Sequence, residues 1–111
     1  MKPVLSLCLL LLAAPLSGAA HAEAAAKFRI EFNDGVFEPR RLEVPAKKKL
    51  EIEVVNKGQG PAEFESKQLG KEKVIAPGGS MTLSIRALDP GEYDFFDDFH
   101  PDAPPAVVVA R

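Results

Sequence analysis

From Phe28 onward, apolar residues return at every second position: Phe28, Ile30 and Phe32; Leu42 and Val44; Leu50, Ile52 and Val54; Met81, Leu83 and Ile85; Tyr93 and Phe95. A period of two sends alternate side chains to opposite faces of an extended chain, so each segment is predicted to be a β-strand with one apolar face. Turn-forming groups stand between them: Asn33-Asp34-Gly35, Val44-Pro45, Asn56-Lys57-Gly58, Ala76-Pro77-Gly78-Gly79 and Asp89-Pro90-Gly91. The run Ala106-Val107-Val108-Val109-Ala110 reads as a last strand buried on both faces. About seven short strands at this spacing predict an all-β protein, a sandwich of two antiparallel sheets. The stretch from Lys67 to Lys73 lacks the alternation and is expected to hold a helical turn.

The N-terminus follows a different rule. Lys2 precedes an apolar run from Val4 to Leu16, and small residues end at Ala20-His21-Ala22. That order of charge, apolar core and small residues is expected of a secretory signal peptide covering residues 1–22, with residues 23–111 as the mature domain in the periplasm. Pro15, Ser17 and Gly18 interrupt the run before it reaches the ~20 apolar residues of a membrane span. Cys8 lies inside the apolar core, poorly placed for lipidation.

The mature chain would carry 13 basic and 16 acidic residues, no cysteine, one histidine (His100) and one methionine (Met81). This inventory excludes disulfides, thiolate chemistry and any metal site built from several imidazoles. A net acidic chain without a basic stripe is not expected to bind nucleic acid, and no catalytic residues for hydrolysis stand out. Lys47-Lys48-Lys49 reads as a solvated turn, and Met81 as a core residue of its strand beside Leu83 and Ile85.

Between Asp89 and Asp102 stand six acids (Asp89, Glu92, Asp94, Asp97, Asp98 and Asp102) and no Lys or Arg. Such repulsion calls for water or a cation. The phase that turns Tyr93 and Phe95 inward turns Asp97 inward as well, and a buried carboxylate needs a cation or hydrogen-bond donors. His100 follows three residues later, within reach of the same ion. Glu63 and Glu65 share one face of their strand while Phe64 takes the other, so both carboxylates can approach one ion. Asp98 is of opposite phase to Asp97, and Glu72 is the weakest candidate.

The segment Ala76-Pro77-Gly78-Gly79-Ser80-Met81-Thr82-Leu83, then Pro90-Gly91-Glu92-Tyr93-Asp94-Phe95-Phe96, then the valine strand, resembles the second half of a cupredoxin. The resemblance runs from about Phe28 to Arg111 and implies a cupredoxin-like Greek-key β-sandwich of two sheets. It also implies a metal site at one end, with Glu63 at the position of the family's first histidine, Asp97 at that of its cysteine, and His100 at that of its second histidine. No methionine follows His100, and without a cysteine any copper bound would be a non-blue site.

Glu63-Phe64-Glu65 and the Pro-Gly-Glu-Tyr-Asp opening are more similar still to the cupredoxin-like domains of bacterial ferrous-iron uptake systems. That likeness implies a metal set of Glu63, Glu65, Asp97 and His100 holding iron or copper. It further implies an inner-membrane iron permease and a redox partner, with iron delivered or oxidised at the site. Carboxylates would favour Fe(III), since anionic oxygens stabilise the higher charge. Glu63 and Asp97 are expected to repel each other when no ion is bound. A copper-handling protein and a metal-free sandwich acting as an interaction module remain alternatives.

Overall fold

The computed structural model describes residues 2–4, 13 and 24–111. The expected cleavage point after Ala22 and the residue Cys8 lie outside the described residues. Among the described residues the chain forms β1 (Ala26–Asn33), β2 (Val36–Glu38), β3 (Arg41–Val44), β4 (Leu50–Asn56), β5 (Ala62–Ser66), β6 (Lys71–Ile75), β7 (Ser80–Ile85), β8 (Gly91–Phe95) and β9 (Ala106–Ala110). Each strand predicted from the period of two is present.

One sheet has the order β2-β1-β4-β7 and the other β3-β9-β8. The β5-β6 hairpin joins the second sheet, because Glu65 and Phe96 exchange both backbone hydrogen bonds at 3.0 and 2.9 Å. Two pairings correct the antiparallel expectation: β1 lies parallel to β4, from Ala26 opposite Leu50 to Phe32 opposite Asn56, and β3 lies parallel to β9. The reason is connectivity. After β2 folds back on β1, the chain crosses to the other sheet as β3 and returns as β4, and a crossover of this kind brings a strand in parallel. The return at β2 uses Asp34 and Gly35, both at positive φ (47° and 90°), the two-residue hairpin geometry whose twist matches the strands.

The alternate residues Ile30, Phe32, Ile52, Val54, Leu83 and Ile85 meet Leu42, Val44, Phe95, Val108 and Ala110 in the core. At one end of the sandwich the filling is aromatic. Phe32 lies 4.5 Å from Phe37 and 6.4 Å from Phe95 between ring centroids, and Phe95 lies 4.9 Å from Phe64. All four rings are buried. This end also receives the loops that carry His100, Asp34 and Asn56.

Two further expectations are corrected. Residues 67–70 form a turn closed by the Ser66 hydroxyl, which accepts from the Leu69 amide at 3.2 Å, and by Gly70 at φ 65°. The left-handed glycine ends the turn, and the chain continues as β6, paired with β5, instead of as helix. Met81 is 36% exposed. It stands near the start of β7, an edge strand whose first three residues are exposed, and only Leu83 and Ile85 of its face are buried. Lys47-Lys48-Lys49 lies at the end of β4 remote from Asn56, in the turn where Lys47 pairs with Asp89.

Truncating a ring in the aromatic cluster leaves a cavity that its stacked neighbours cannot fill. Phe95→Ala is expected to lower unfolding free energy by about 3–5 kcal/mol, and Met81→Ala by less than about 1 kcal/mol. Urea unfolding of both variants checks the contrast; equal losses would place Met81 in the core after all.

Candidate metal centre

Asp97 occupies the inward phase set by Phe95 and is 1% exposed. Its partners are complete. Oδ1 accepts from the Glu63 amide at 3.1 Å and from the Phe99 amide at 2.9 Å, while Oδ2 meets His100 Nδ1 at 2.8 Å. The backbone closes the same unit, since the His100 amide donates to the Asp97 carbonyl at 3.0 Å. One carboxylate thereby fixes β5, the end of β8 and the loop that follows. His100 retains 32% side-chain exposure and lines a groove with Asp34, Val36, Phe99, Pro101 and Asp102.

Neighbouring loops hold this end in place. Asn56, buried at the end of β4, donates from Nδ2 to the carbonyls of Gly60 (2.8 Å) and Ile75 (2.9 Å) and accepts from the Gly58 amide at 2.9 Å. Asp34 accepts from the Gln59 amide at 3.0 Å. On the other side of β5, the Gln68 side chain takes a strand's place beside β8, accepting from the Asp94 amide at 2.6 Å. Arg86 donates to the carbonyls of Gln68 and Leu69 (3.1 and 3.3 Å), so the β5-β6 turn is held from two directions.

Glu63 joins Asp97 through its backbone, but its side chain goes elsewhere. With Phe64 turned into the core, Glu63 and Glu65 share the opposite face of β5. Glu72 of β6, directly opposite Glu65 in the register, brings a third carboxylate. One oxygen from each of Glu63, Glu65 and Glu72 lies within 4.8 Å of the others. Glu63 is 6% exposed, and among the described residues no Lys or Arg pairs with any of the three. Burial chiefly, then the charge of Glu65, contact with Glu72 and the charges of Glu72 and Asp98, raise the Glu63 carboxyl above its ordinary value of 4.5.

The four residues expected from the sequence are thus distributed over two adjoining groups. Asp97 and His100 are in direct contact, and Glu63 and Glu65 share a face with Glu72. The backbone of Glu63 is the link. The anticipated repulsion between Glu63 and Asp97 is replaced by a hydrogen bond from one to the other, and the charges acting on Glu63 come from Glu65, Glu72 and Asp98. Nor do the six acids of residues 89–102 gather at one place. Asp89 pairs with Lys47 at the far end and Glu92 with Arg41 at 3.5 Å.

Glu72, the weakest candidate from the sequence, is brought into the group because the expected helical turn is a hairpin turn. A β-hairpin with a four-residue turn after Ser66 places it across from Glu65. Three carboxylates suit a hard cation, and no thiol lies among the described residues to provide a soft ligand.

With the site's geometry established, comparison with known proteins supplies the class. Residues 6–110 match the cupredoxin-like domain family, and the chain belongs to it. An uncharacterised protein of Rickettsia prowazekii (strain Madrid E) is 33% identical over 83 residues, a match that spans 75% of this chain and 66% of that protein. The fold is similar to auracyanin from Roseiflexus castenholzii (TM-score 0.65, 15% identity, 79% of this chain and 98% of that one). It is also similar to a purple cupredoxin from Nitrosopumilus maritimus (TM-score 0.56, 18% identity, 75% and 98%).

A carboxyl whose folded pKa is raised holds its proton longer in the folded chain than in the unfolded one. Stability therefore falls as pH rises from the ordinary glutamate value of 4.5 through the raised folded value. Glu63→Gln removes that dependence. The metal-free variant is expected to melt higher than wild type at neutral pH, with the two curves converging below pH 4.5. Thermal melts across this range check it, and a lower melting temperature for the variant at neutral pH would contradict the charge argument.

Proposed function

We propose that the protein is an exported, periplasmic metal-binding protein that takes up iron at the carboxylates of Glu63, Glu65 and Glu72 and serves ferrous-iron uptake. The observation that carries the reading is the nearly buried Glu63, held among acids with which no Lys or Arg among the described residues forms an ion pair. Such a group is a poor arrangement for an empty surface and a good one for a multivalent cation. Asp97 and His100, the other two sequence candidates, stand across the Glu63 amide and adjoin the same end of the domain. A carboxylate-rich set stabilises Fe(III) over Fe(II), so a one-electron acceptor acting as the redox partner would take an electron from bound Fe(II) before the ion is passed to a membrane permease. The resemblance of Glu63-Phe64-Glu65 and Pro90-Gly91-Glu92-Tyr93-Asp94 to iron-uptake domains supports the same direction.

Copper handling is the second reading. It is favoured by the shared fold with a purple cupredoxin and by the order of affinities, in which an N/O site holds Cu(II) more tightly than Fe(II).

Titrating metal-free protein with Fe(II), Fe(III), Mn(II) and Cu(II) tests the proposal. Saturable, stoichiometric binding is expected for wild type. Combined Glu63→Gln, Glu65→Gln and Glu72→Gln substitution is expected to abolish it with the fold intact. Unchanged binding in the triple variant would move the site away from the hairpin.

The copper form has a separate signature. With no thiolate ligand, copper-loaded mature protein is expected to show only weak visible absorption, and an intense blue or purple band would require a cysteine at the metal.

A further inference from the structure

With the β5-β6 hairpin joined to the second sheet, the described residues leave four edge strands: β2 and β7 on one sheet, β3 and β6 on the other. An open edge presents a row of unpaired N–H and C=O groups, and folded proteins guard it with shortness, charge or proline. Three of these edges are guarded. β2 is three residues long and runs into Pro39, β3 carries Arg41 and Glu43, and β6 carries Lys71, Glu72 and Lys73. β7 differs, since its six residues, Ser80-Met81-Thr82-Leu83-Ser84-Ile85, hold neither a charge nor a proline.

Half of the β7 backbone is already used. The Lys57 amide donates to the Phe32 carbonyl at 2.7 Å and the Asn56 amide to the Gly79 carbonyl at 2.9 Å, so odd-numbered residues of β4 turn their backbone to β1 and even-numbered ones to β7. Val54, Ile52 and Leu50 lie opposite Met81, Leu83 and Ile85, which therefore bond to β4. The N–H and C=O groups of Ser80, Thr82 and Ser84 point the other way, where no strand of the described residues lies. Met81, in phase with the buried Leu83 and Ile85, is left open at the same edge.

We propose that β7 pairs antiparallel with β7 of a second copy of this chain, joining the two four-stranded sheets into one across a two-fold axis. The pattern of guarded edges selects this occupant. Shortness, proline and charge oppose pairing at β2, β3 and β6, so the edge that β7 of one molecule finds open on another is β7 itself. A contact of like with like closes as a dimer instead of growing into a fibre. The two-fold axis keeps each side chain on its own face, so residues meet others of their own parity. Met81 then stands opposite Leu83 or Ile85 of the second copy, and Thr82 opposite Thr82 or Ser84, with no like charges opposed. One strand pair is small beside the ~1,600 Å² of a standard interface, so the dimer is weak and depends on concentration. The pairing is independent of the metal-binding reading.

Sedimentation equilibrium of the mature protein, with a chelator present so that no metal bridges two copies, tests the pairing. The mass is expected to rise from one chain toward two as concentration approaches about 1 mM, and a single-chain mass throughout overturns the proposal. Amide exchange locates the contact. The Thr82 and Ser84 amides are expected to exchange more slowly as concentration rises, while those of Met81, Leu83 and Ile85 are protected at every dilution. A dimer without that change at Thr82 and Ser84 uses another surface and overturns the proposal. Thr82→Pro removes an outward N–H that β4 does not use, and Thr82→Lys sets a charge at the edge beside Glu53, its register partner on β4. Each is expected to raise the concentration of half-dimerisation at least about 10-fold with the melting temperature of the single chain kept. Thr82→Lys carries the test if Thr82→Pro does not fold, and an unchanged dimer in Thr82→Lys overturns the proposal.

Discussion

The site end of the domain depends on one buried carboxylate. Asp97 is buried, and three nitrogens from two chain segments, β5 and the loop after β8, converge on its two oxygens. Removing any carboxyl from water is costly unless its hydrogen-bonding capacity is met inside. Meeting it here requires the Glu63 amide, the Phe99 amide and His100 at fixed positions. That requirement sets where β5 approaches β8 and how the loop after β8 begins.

Beneath this polar knot lies the aromatic group of Phe32, Phe37, Phe64 and Phe95, which makes the floor rigid. Aromatic pairs at these separations are worth ~0.5–1.5 kcal/mol each beyond the area they bury. Phe64 directly follows Glu63 in β5, and Phe95 stands two residues before Asp97. Packing thus places the backbone, and the backbone places Glu63 and Asp97. The same alternation that turns Phe64 inward turns Glu63 and Glu65 outward, so a core residue and two candidate ligands are fixed by a single choice of strand phase.

Much of this could be read from the sequence because strand phase is local. The inward direction of Asp97 followed from Tyr93 and Phe95, and the shared face of Glu63 and Glu65 from Phe64. Features that depend on pairing between distant segments were not legible. Nothing in the alternation of β1 or β4 states that they lie side by side in parallel, and nothing in Met81 states that its end of the edge strand is exposed. Glu72 belongs to the same class. Its strand, Lys71–Ile75, is largely polar because it forms an edge, and only the hairpin register brings it across from Glu65.

That register has a mechanical consequence. The β5-β6 hairpin joins the second sheet through one residue pair, Glu65 with Phe96, and its turn is fastened by Gln68 and Arg86. Its three carboxylates sit on both strands, so an ion bound among them is a staple across the hairpin, closing a short loop at little entropic cost. On the proposed reading, occupancy of the site and stiffness of the edge strand would be one variable. On the same reading, prying β6 from its edge would also separate Glu72 from Glu63 and Glu65.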